Sequence, residues 1–433
     1  MSMSKTRTGT GTGTNEETST TSTTINPYYS KSIPKAETGV LSLLKKYPTA
    51  DGRGVKIAIL DTGCDLAAAG LTTTSDGKPK YLDFIDCTGG GDVDMNKTVA
   101  FEFDSNSSVS VSVSVSVSVS VDSDNINIVA GMSGRNLTVG AWAKDVKEFR
   151  LGAVRLFHLL PRSVERRIRR ERKSAFMIKH QALVSETQLS LDAVREGVNV
   201  KVNGDVNLNV SNGEDKNSNS TNTNTKNKDV KELELLLEQL QEIVESYEDS
   251  GPLMDILMFN DALNDTWRAV IDLEANGDLT ESIPMAPYGC DGQFGELAFG
   301  SAVTFCVQVY DEGKTLSIVT DAGSHGTHVA GIAAANFISK DCDQDSNNAH
   351  VNGVAPGAQV LACKIGDSRL GSAETGTGLV RALIAAKKYG CDLVNLSYGE
   401  PSWQPDSGRV AQTFSDAVHK WGMTVFTSAG NDG

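Results

Sequence analysis

The segment VKIAILDTGCD, residues 55–65, decides the fold class of this chain. Its first six residues form a short, apolar, β-branched run, which is typical of a strand buried on both faces in a parallel sheet. Asp61 follows the run directly, and Thr62 and Gly63 turn the chain away. Ligands of such sheets gather at the carboxyl ends of the strands, so Asp61 is a candidate for chemistry. A cap of the following turn is its alternative role.

Strand and helix patterns alternate from residue 316 onward. This alternation predicts a parallel α/β sheet with helices on both faces. The runs with strand character are TLSIVT, VLACKIGD, CDLVNLSYG and TVFTSAG, and the helical ones are a Gly/Ala-rich helix from His325, LVRALIAAKKYG and residues 410–421. We expect TLSIVT to belong to the same parallel sheet as the other runs.

The remaining segments predict a tail and an inserted region. Residues 1–36 are rich in Ser, Thr and Gly, which favours a disordered tail. The Ser/Val alternation over 108–121 and the Asn-rich tract over 202–228 are typical of simple-sequence expansions, although the first also has the period of a strand. Helices are predicted over 41–48, 157–176 and 231–249, the last packed on a neighbouring element.

Composition excludes several classes of function. The 433 residues carry a formal net charge of -15, whereas phosphate neutralisation needs clustered Lys and Arg, so no nucleic-acid partner is expected. The basic residues of 157–176 indicate a solvated helical face. The start of the chain lacks the apolar region of a signal peptide, and no uncharged apolar run is long enough for a membrane span. Seven cysteines without a CxxC pair indicate reduced thiols. We therefore expect a cytoplasmic protein with no membrane partner.

Two histidines lie in GSHGTHVAGIAAAN, residues 323–336, where small side chains allow a helix to pack closely. The zinc motif HExxH needs histidines four apart with a glutamate between them, whereas HGTH has neither feature. The acidic stretch DLEANGD, residues 272–278, lacks the closing glutamate of a calcium loop and indicates a turn between two strands. No metal is expected. What remains is a histidine base, an orienting aspartate and a nucleophile to be found.

Five motifs in order resemble the subtilisin-like serine peptidases, namely VKIAILDTG, GSHGTHVAG, NGVAPGAQV, LVNLSYG and SAGNDG. The resemblance implies that His325 is the general base, that Asp61 orients it and that Asn431 supplies the oxyanion hole. His328 would have a packing or supporting role in the helix. No cofactor is implied.

The resemblance also implies an interrupted peptidase domain. Asp61 and His325 are 264 residues apart, which predicts an insertion over 98–315 between peptidase segments 37–97 and 316–433. The Gly-Thr-Ser motif that bears the nucleophile is expected beyond Gly433, so this chain alone should not hydrolyse peptides.

Longer stretches resemble the tripeptidyl-peptidase II family of subtilases, among them TSDGKPKYLDFIDCTGGGDV and IGDSRLGSAETGTGLVRA; the likeness covers roughly residues 37–100 and 250–433. It implies a cytosolic exopeptidase that removes tripeptides from oligopeptides with free N-termini and assembles into a large homo-oligomer. The substrate would add as a strand to LVNLSYG, an edge strand, with Ser397, Tyr398 and Gly399 flanking the specificity pockets. Glu374 and Glu400 would bind its α-ammonium.

Alternatives remain open for both the acids and the whole chain. Glu374 could cap a helix, and Glu400 could be an exposed loop acid. A subtilase-fold scaffold without a nucleophile, and a secreted, self-processing endopeptidase, are the other functions considered; the missing signal peptide disfavours the latter.

Overall fold

The computed structural model describes residues 33–102, 127–196, 221–337, 351–399 and 406–430. Most of the predicted tail, the Ser/Val alternation and residues 202–220 of the Asn-rich tract lie outside the described residues, and so do Glu400 and Asn431. Lys35, at the end of the predicted tail, is buried, and its Nζ donates to the carbonyl of Asn352.

Strands and helices are numbered along the chain. The strands are β1 (Lys56–Asp61), β2 (Tyr81–Asp86), β3 (Asp92–Asp94), β4 (Lys97–Ala100), β5 (Ile128–Ala130), β6 (Asn136–Val139), β7 (Glu148–Arg155), β8 (Leu253–Asp261), β9 (Thr266–Ile271), β10 (Asp278–Leu279), β11 (Gly295–Glu296), β12 (Thr304–Tyr310), β13 (Thr315–Thr320), β14 (Gln359–Lys364), β15 (Gly366–Asp367), β16 (Ala373–Glu374), β17 (Leu393–Leu396) and β18 (Thr424–Thr427). The helices are α1 (Val40–Lys46), α2 (Arg162–Glu196), α3 (Thr221–Glu245), α4 (Tyr288–Asp291), α5 (His325–Ala334), α6 (Gly376–Tyr389) and α7 (Gly408–His419).

A five-stranded parallel sheet with the order β18-β17-β1-β14-β2 is the centre of an α/β fold. Alternate residues of β1 face opposite sides of this sheet. Ile57 and Ile59 belong to a core that also contains Ala330 and Ala334 of α5. Ala58 and Leu60 belong to a second core with residues of α6 and α7. The prediction of a parallel sheet with helices on both faces is confirmed.

The prediction that TLSIVT joins the parallel sheet is wrong. This run forms β13, which pairs antiparallel with β12 and with β3 in a four-stranded sheet of order β11-β12-β13-β3. A strand buried on both faces has the same apolar sequence in either kind of sheet, so the run could not reveal its neighbours.

The region between β3 and β12 is built mainly by antiparallel pairing, and only β10 with β6 is a parallel pair among its described strands. A four-stranded sheet has the order β4-β7-β8-β9, and a three-stranded sheet has the order β10-β6-β5. Phe149, Phe259 and Trp142 pack their rings together in the core of this region. DLEANGD joins β9 to β10, as predicted, and Asp272 accepts hydrogen bonds there from Arg135, Asn276 and Gly277.

Residues 165–251 form a separate compact unit, which consists mainly of α2 and α3. The two helices contact one another through His180 Nε2 and the carbonyl of Leu240, which are 2.8 Å apart, and this confirms that the helix predicted over 231–249 packs on a neighbour. Basic side chains of α2 form ion pairs, including Arg172 with Asp249 at 2.7 Å. None of the helices in the described ranges combines the length and apolar character that crossing a bilayer requires.

Candidate active site

Asp61 is the last residue of β1, and its side chain is completely buried. Its Oδ1 accepts a hydrogen bond from the backbone N–H of Thr62 at 2.7 Å. Because a buried carboxylate is costly without donors, this bond and the contact with His325 Nδ1 fix its orientation.

His325 is the first residue of α5, and its Nδ1 lies 2.8 Å from Oδ1 of Asp61. With the aspartate as acceptor, Nδ1 carries the proton and Nε2 keeps a lone pair. The imidazole side chain remains 53% exposed. The arrangement therefore presents a base to solvent while its orienting partner is inaccessible.

Thr62 ties the start of α5 to the end of β1. Its hydroxyl donates to the carbonyl of Gly323 at 2.8 Å and accepts from the N–H of Gly326 at 2.9 Å. Its own carbonyl accepts from the N–H of Ala322 at 2.7 Å. These three bonds hold the backbone on both sides of His325.

Gly326 permits the close approach of α5 to the turn after β1. A Cβ at this position would stand 2.2 Å from the carbonyl oxygen of Gly63 and 3.1 Å from Cβ of Asp61. Further along the helix, Ala330 and Ala334 are fully buried in the core below. The small residues of the motif therefore place His325 against the strand end that carries Asp61.

His328 does not have the predicted packing role in this structure. Its side chain is exposed, and its backbone N–H donates to the carbonyl of Ser324 at 3.1 Å. His325 is the first residue of α5, next to the end of β1, whereas His328 lies nearly one turn further along the helix. Only His325 therefore contacts Asp61.

The predicted substrate segment begins where β17 ends. β17 pairs with β1 on one side and with β18 on the other, so the expectation that it is an edge strand is wrong. The alternation of strand residues indicated a strand but not its place in the sheet. Ser397, Tyr398 and Gly399 lie beyond the paired residues, where Ser397 Oγ accepts from Asn395 at 2.9 Å.

Tyr398 lies beside the candidate base. Its ring and the imidazole of His325 are 6.5 Å apart between centroids, in an edge-to-face arrangement. The phenol hydroxyl donates to the carbonyl of Ser372, and Ser372 Oγ donates to the carbonyl of Ala322 at 3.2 Å. Ser372 thus connects Tyr398 with the segment that precedes His325.

Glu374 lies in the two-stranded hairpin formed by β15 and β16, two residues after Ser372, and is half-buried. The alternative role of helix cap belongs to its neighbour, because Thr375 is the N-cap of α6 and its hydroxyl accepts from the N–H of Gly378. The structure therefore joins Asp61, His325, Tyr398 and the hairpin of Glu374 in one region. It does not place Glu400 or Asn431, which lie outside the described residues.

Other carboxylates surround the Asp61–His325 pair. Burial, reinforced by the nearby carboxylate of Asp65, raises the pKa of Asp321 to about 6, and Lys364 opposes this rise. No cluster of three or more His, Cys, Asp or Glu side chains suited to a metal ion occurs among the residues that the structure describes.

The sequence pattern of the subtilase family matches residues 52–433. The chain belongs to the subtilase family. Tripeptidyl-peptidase 2 of Oryza sativa subsp. japonica is 38% identical over 415 residues, which cover 94% of this chain and 27% of that protein. The protein of the same name from Drosophila melanogaster is 32% identical over 417 residues, or 93% of this chain and 25% of its own length.

A solved structure also matches this chain. The crystal structure of Tripeptidyl Peptidase 2 (TPP II) matches with a TM-score of 0.59 and 30% identity, covering 92% of this chain and 28% of that one. The chain thus spans about a quarter of the length of the relatives that it matches.

Several residues of this subtilase site were not found from the sequence. Thr62, Gly326 and Ser372 position the base through backbone contacts, which leave no trace in hydrophobic periodicity.

Proposed function

We propose that this chain belongs to a serine exopeptidase that releases tripeptides from the free N-termini of oligopeptides by acyl transfer. The observation that carries the proposal is the 2.8 Å contact between Nδ1 of His325 and Oδ1 of Asp61 at the start of α5. The matched relatives that bear the name tripeptidyl-peptidase 2 support the finer assignment.

The residues divide the chemistry between them. Asp61 keeps His325 in the tautomer whose Nε2 accepts the proton of a serine hydroxyl. That serine would come from a Gly-Thr-Ser segment, which these 433 residues do not contain, so this chain alone would be inactive. Asn431 would donate its amide N–H to the oxyanion.

The exopeptidase step requires a group that recognises the substrate's α-ammonium. Glu374 is suited to it because its hairpin is connected through Ser372 to Tyr398, beside His325. Glu400 would be the second carboxylate. The peptide backbone would lie along Ser397, Tyr398 and Gly399, which follow the last paired residue of β17.

Oligopeptides with a free N-terminus as substrates, a large homo-oligomer and a cytoplasmic location complete the proposal. The last two derive from the family resemblance. Light scattering coupled to size-exclusion chromatography of the full-length protein would measure the assembly.

The test compares two substrates in the full-length protein. Glu374→Gln removes a charge-assisted contact worth roughly 1.5–3 kcal/mol, which corresponds to about a 10- to 150-fold loss of kcat/KM on a free-amine tripeptide substrate. An N-acetylated substrate has no ammonium, so we expect much less loss on it. Glu281→Gln, at an exposed acid, is the matched control and should change neither value.

The alternatives give different outcomes. Equal losses on both substrates would assign Glu374 to the fold and favour an endopeptidase. A full-length protein that does not react with a fluorophosphonate serine probe would favour the non-catalytic scaffold.

A further inference from the structure

A lysine is buried at the carboxyl end of the central strands. Lys364 is the last residue of β14, and only 2% of its side chain is exposed. Its neighbours Cys363 and Ile365 are apolar and fully buried. A buried ammonium requires a compensating charge or a function, because its removal from water is costly.

The register of the sheet aligns this lysine with two buried aspartates. Lys364 pairs with Asp61 of β1 on one side and with Asp86 of β2 on the other. Aligned residues of adjacent parallel strands project to the same face of a sheet. Asp61, Lys364 and Asp86 therefore form a row across three adjacent strands.

The face is the one that α5 covers. Ile59, Ala362 and Phe84 each stand two residues before a member of the row, and all three belong to the core shared with α5. Since side chains alternate along a strand, Asp61, Lys364 and Asp86 project towards the helix of the candidate base.

Asp86 is held firmly by other donors. Its Oδ1 accepts from the N–H of Thr88 at 2.8 Å and from the Thr88 hydroxyl at 2.6 Å, and its Oδ2 accepts from the N–H of Gly91 at 3.2 Å. Nζ of Lys364 lies 3.6 Å from the same Oδ2. The lysine is therefore kept on this face without being fully neutralised by a short bond.

On the other side of Lys364, one carboxylate oxygen of Asp61 lacks a hydrogen-bond partner among the described residues. This atom is Oδ2, which is buried. Neighbouring strands are about 4.8 Å apart, so the charge of Lys364 acts on this carboxylate at short range.

From this geometry we infer that Lys364 is a positioning residue of the active site, whose ammonium stands beside the buried Asp61 carboxylate and opposes the gain of a proton by the His325 imidazole. Among the residues that the structure describes, the titratable groups near the base include Asp65 after β1, Asp86 in β2, Asp321 before α5, Glu374 in β16 and His328 in α5. Carboxylates favour the protonated imidazole, and Lys364 opposes them. The inference depends on the Asp61–His325 pair and not on the proposed exopeptidase activity.

The test needs no turnover. The chain has six histidines, so selective 15N/13C labelling, with His325→Gln to assign the signal, gives the pH midpoint of the His325 imidazole titration. Lys364→Met removes the charge but keeps most of the volume. We expect the midpoint to rise by roughly 0.5–1 pH unit, because protonation of the imidazole is no longer opposed. Lys364→Arg keeps the charge and should leave the midpoint within about 0.2 of wild type.

A matched control lies at the other end of the same face. Lys80 is also fully buried, but its Nζ donates to the carbonyls of Ala334, Pro356 and Ala358, away from Asp61. Lys80→Met loses a buried charge as Lys364→Met does, yet should not move the midpoint.

The fold of each variant is checked by circular dichroism, and Lys364→Gln is the second neutral variant if Lys364→Met does not fold. A midpoint that is unchanged or lowered in the folded neutral variant overturns the inference. An equal rise in Lys80→Met overturns it as well, because the effect would then come from a general change of the fold.

Discussion

Nδ1 of His325 lies 2.8 Å from Oδ1 of Asp61, although 264 positions separate the two residues along the chain. The carboxylate is completely buried, whereas about half of the imidazole side chain is exposed. This asymmetry lets the aspartate orient the ring without competing for the substrate. It also makes the contact between α5 and the turn after β1 the feature on which the site depends.

Gly326→Ala should disrupt that contact. The added methyl group would meet the carbonyl of Gly63 at 2.2 Å, so we expect a loss of roughly 1–3 kcal/mol or more of stability. Gly331→Ala is the control in the same helix, where the methyl group meets nothing within 4 Å and should add about 0.5–1 kcal/mol. Thermal unfolding of both variants measures the difference. Equal melting temperatures would contradict the close packing described here.

Asp321→Asn should stabilise the chain in a pH-dependent manner. The folded-state pKa of Asp321 is raised to about 6 from 3.8, chiefly by burial, so the folded state binds more protons between these values and wild type loses stability as the pH rises through them. Above pH 6 the cost is at most about 3 kcal/mol, less solvent screening, and asparagine removes it. Unfolding at pH 4 and pH 8 should show a gain only at pH 8.

The control for Asp321→Asn is Asp278→Asn, for which the expected change in stability has the opposite sign. Hydrogen bonds from Thr280 lower the pKa of Asp278, which is exposed. Asp278→Asn should therefore slightly destabilise the protein at pH 8. A gain in both variants would indicate a general effect of reducing the net negative charge.

Lys80→Ala should destabilise the chain strongly. Its ammonium donates to three backbone carbonyls at 2.6, 2.8 and 3.0 Å, one of them Ala334 at the end of α5. Truncation leaves these acceptors without their donor and opens a cavity, so we expect a loss of at least about 3 kcal/mol in denaturant unfolding. Lys78→Ala, two residues away with an exposed ion pair to Asp76, should cost less than about 1 kcal/mol. Similar losses would show that the three bonds carry little energy.

Asp61→Asn should separate orientation from folding. The amide fills the same space but favours the other imidazole tautomer, so kcat of the full-length enzyme should fall by roughly 10⁴, as in other serine peptidases with this change. 15N shifts of the His325 ring report the tautomer directly. An unchanged tautomer together with full activity would remove Asp61 from its proposed role.

The sequence by itself determined the local elements of this protein. The run VKIAIL formed β1, the small residues after His325 formed a closely packed helix, and DLEANGD formed a turn between two strands. These features follow from backbone preferences and hydrophobic periodicity over a few residues. The assignment of His325 rather than His328 came from the family resemblance, and the contact with Asp61 supports it.

Only the tertiary structure decided which elements lie side by side. TLSIVT pairs antiparallel with β12, β17 lies between two strands, and Lys364 stands in register between Asp61 and Asp86. An apolar strand of four to six residues has the same sequence signature beside any neighbour. Its partner is chosen by contacts between residues far apart in the chain, where packing of whole faces outweighs local preference.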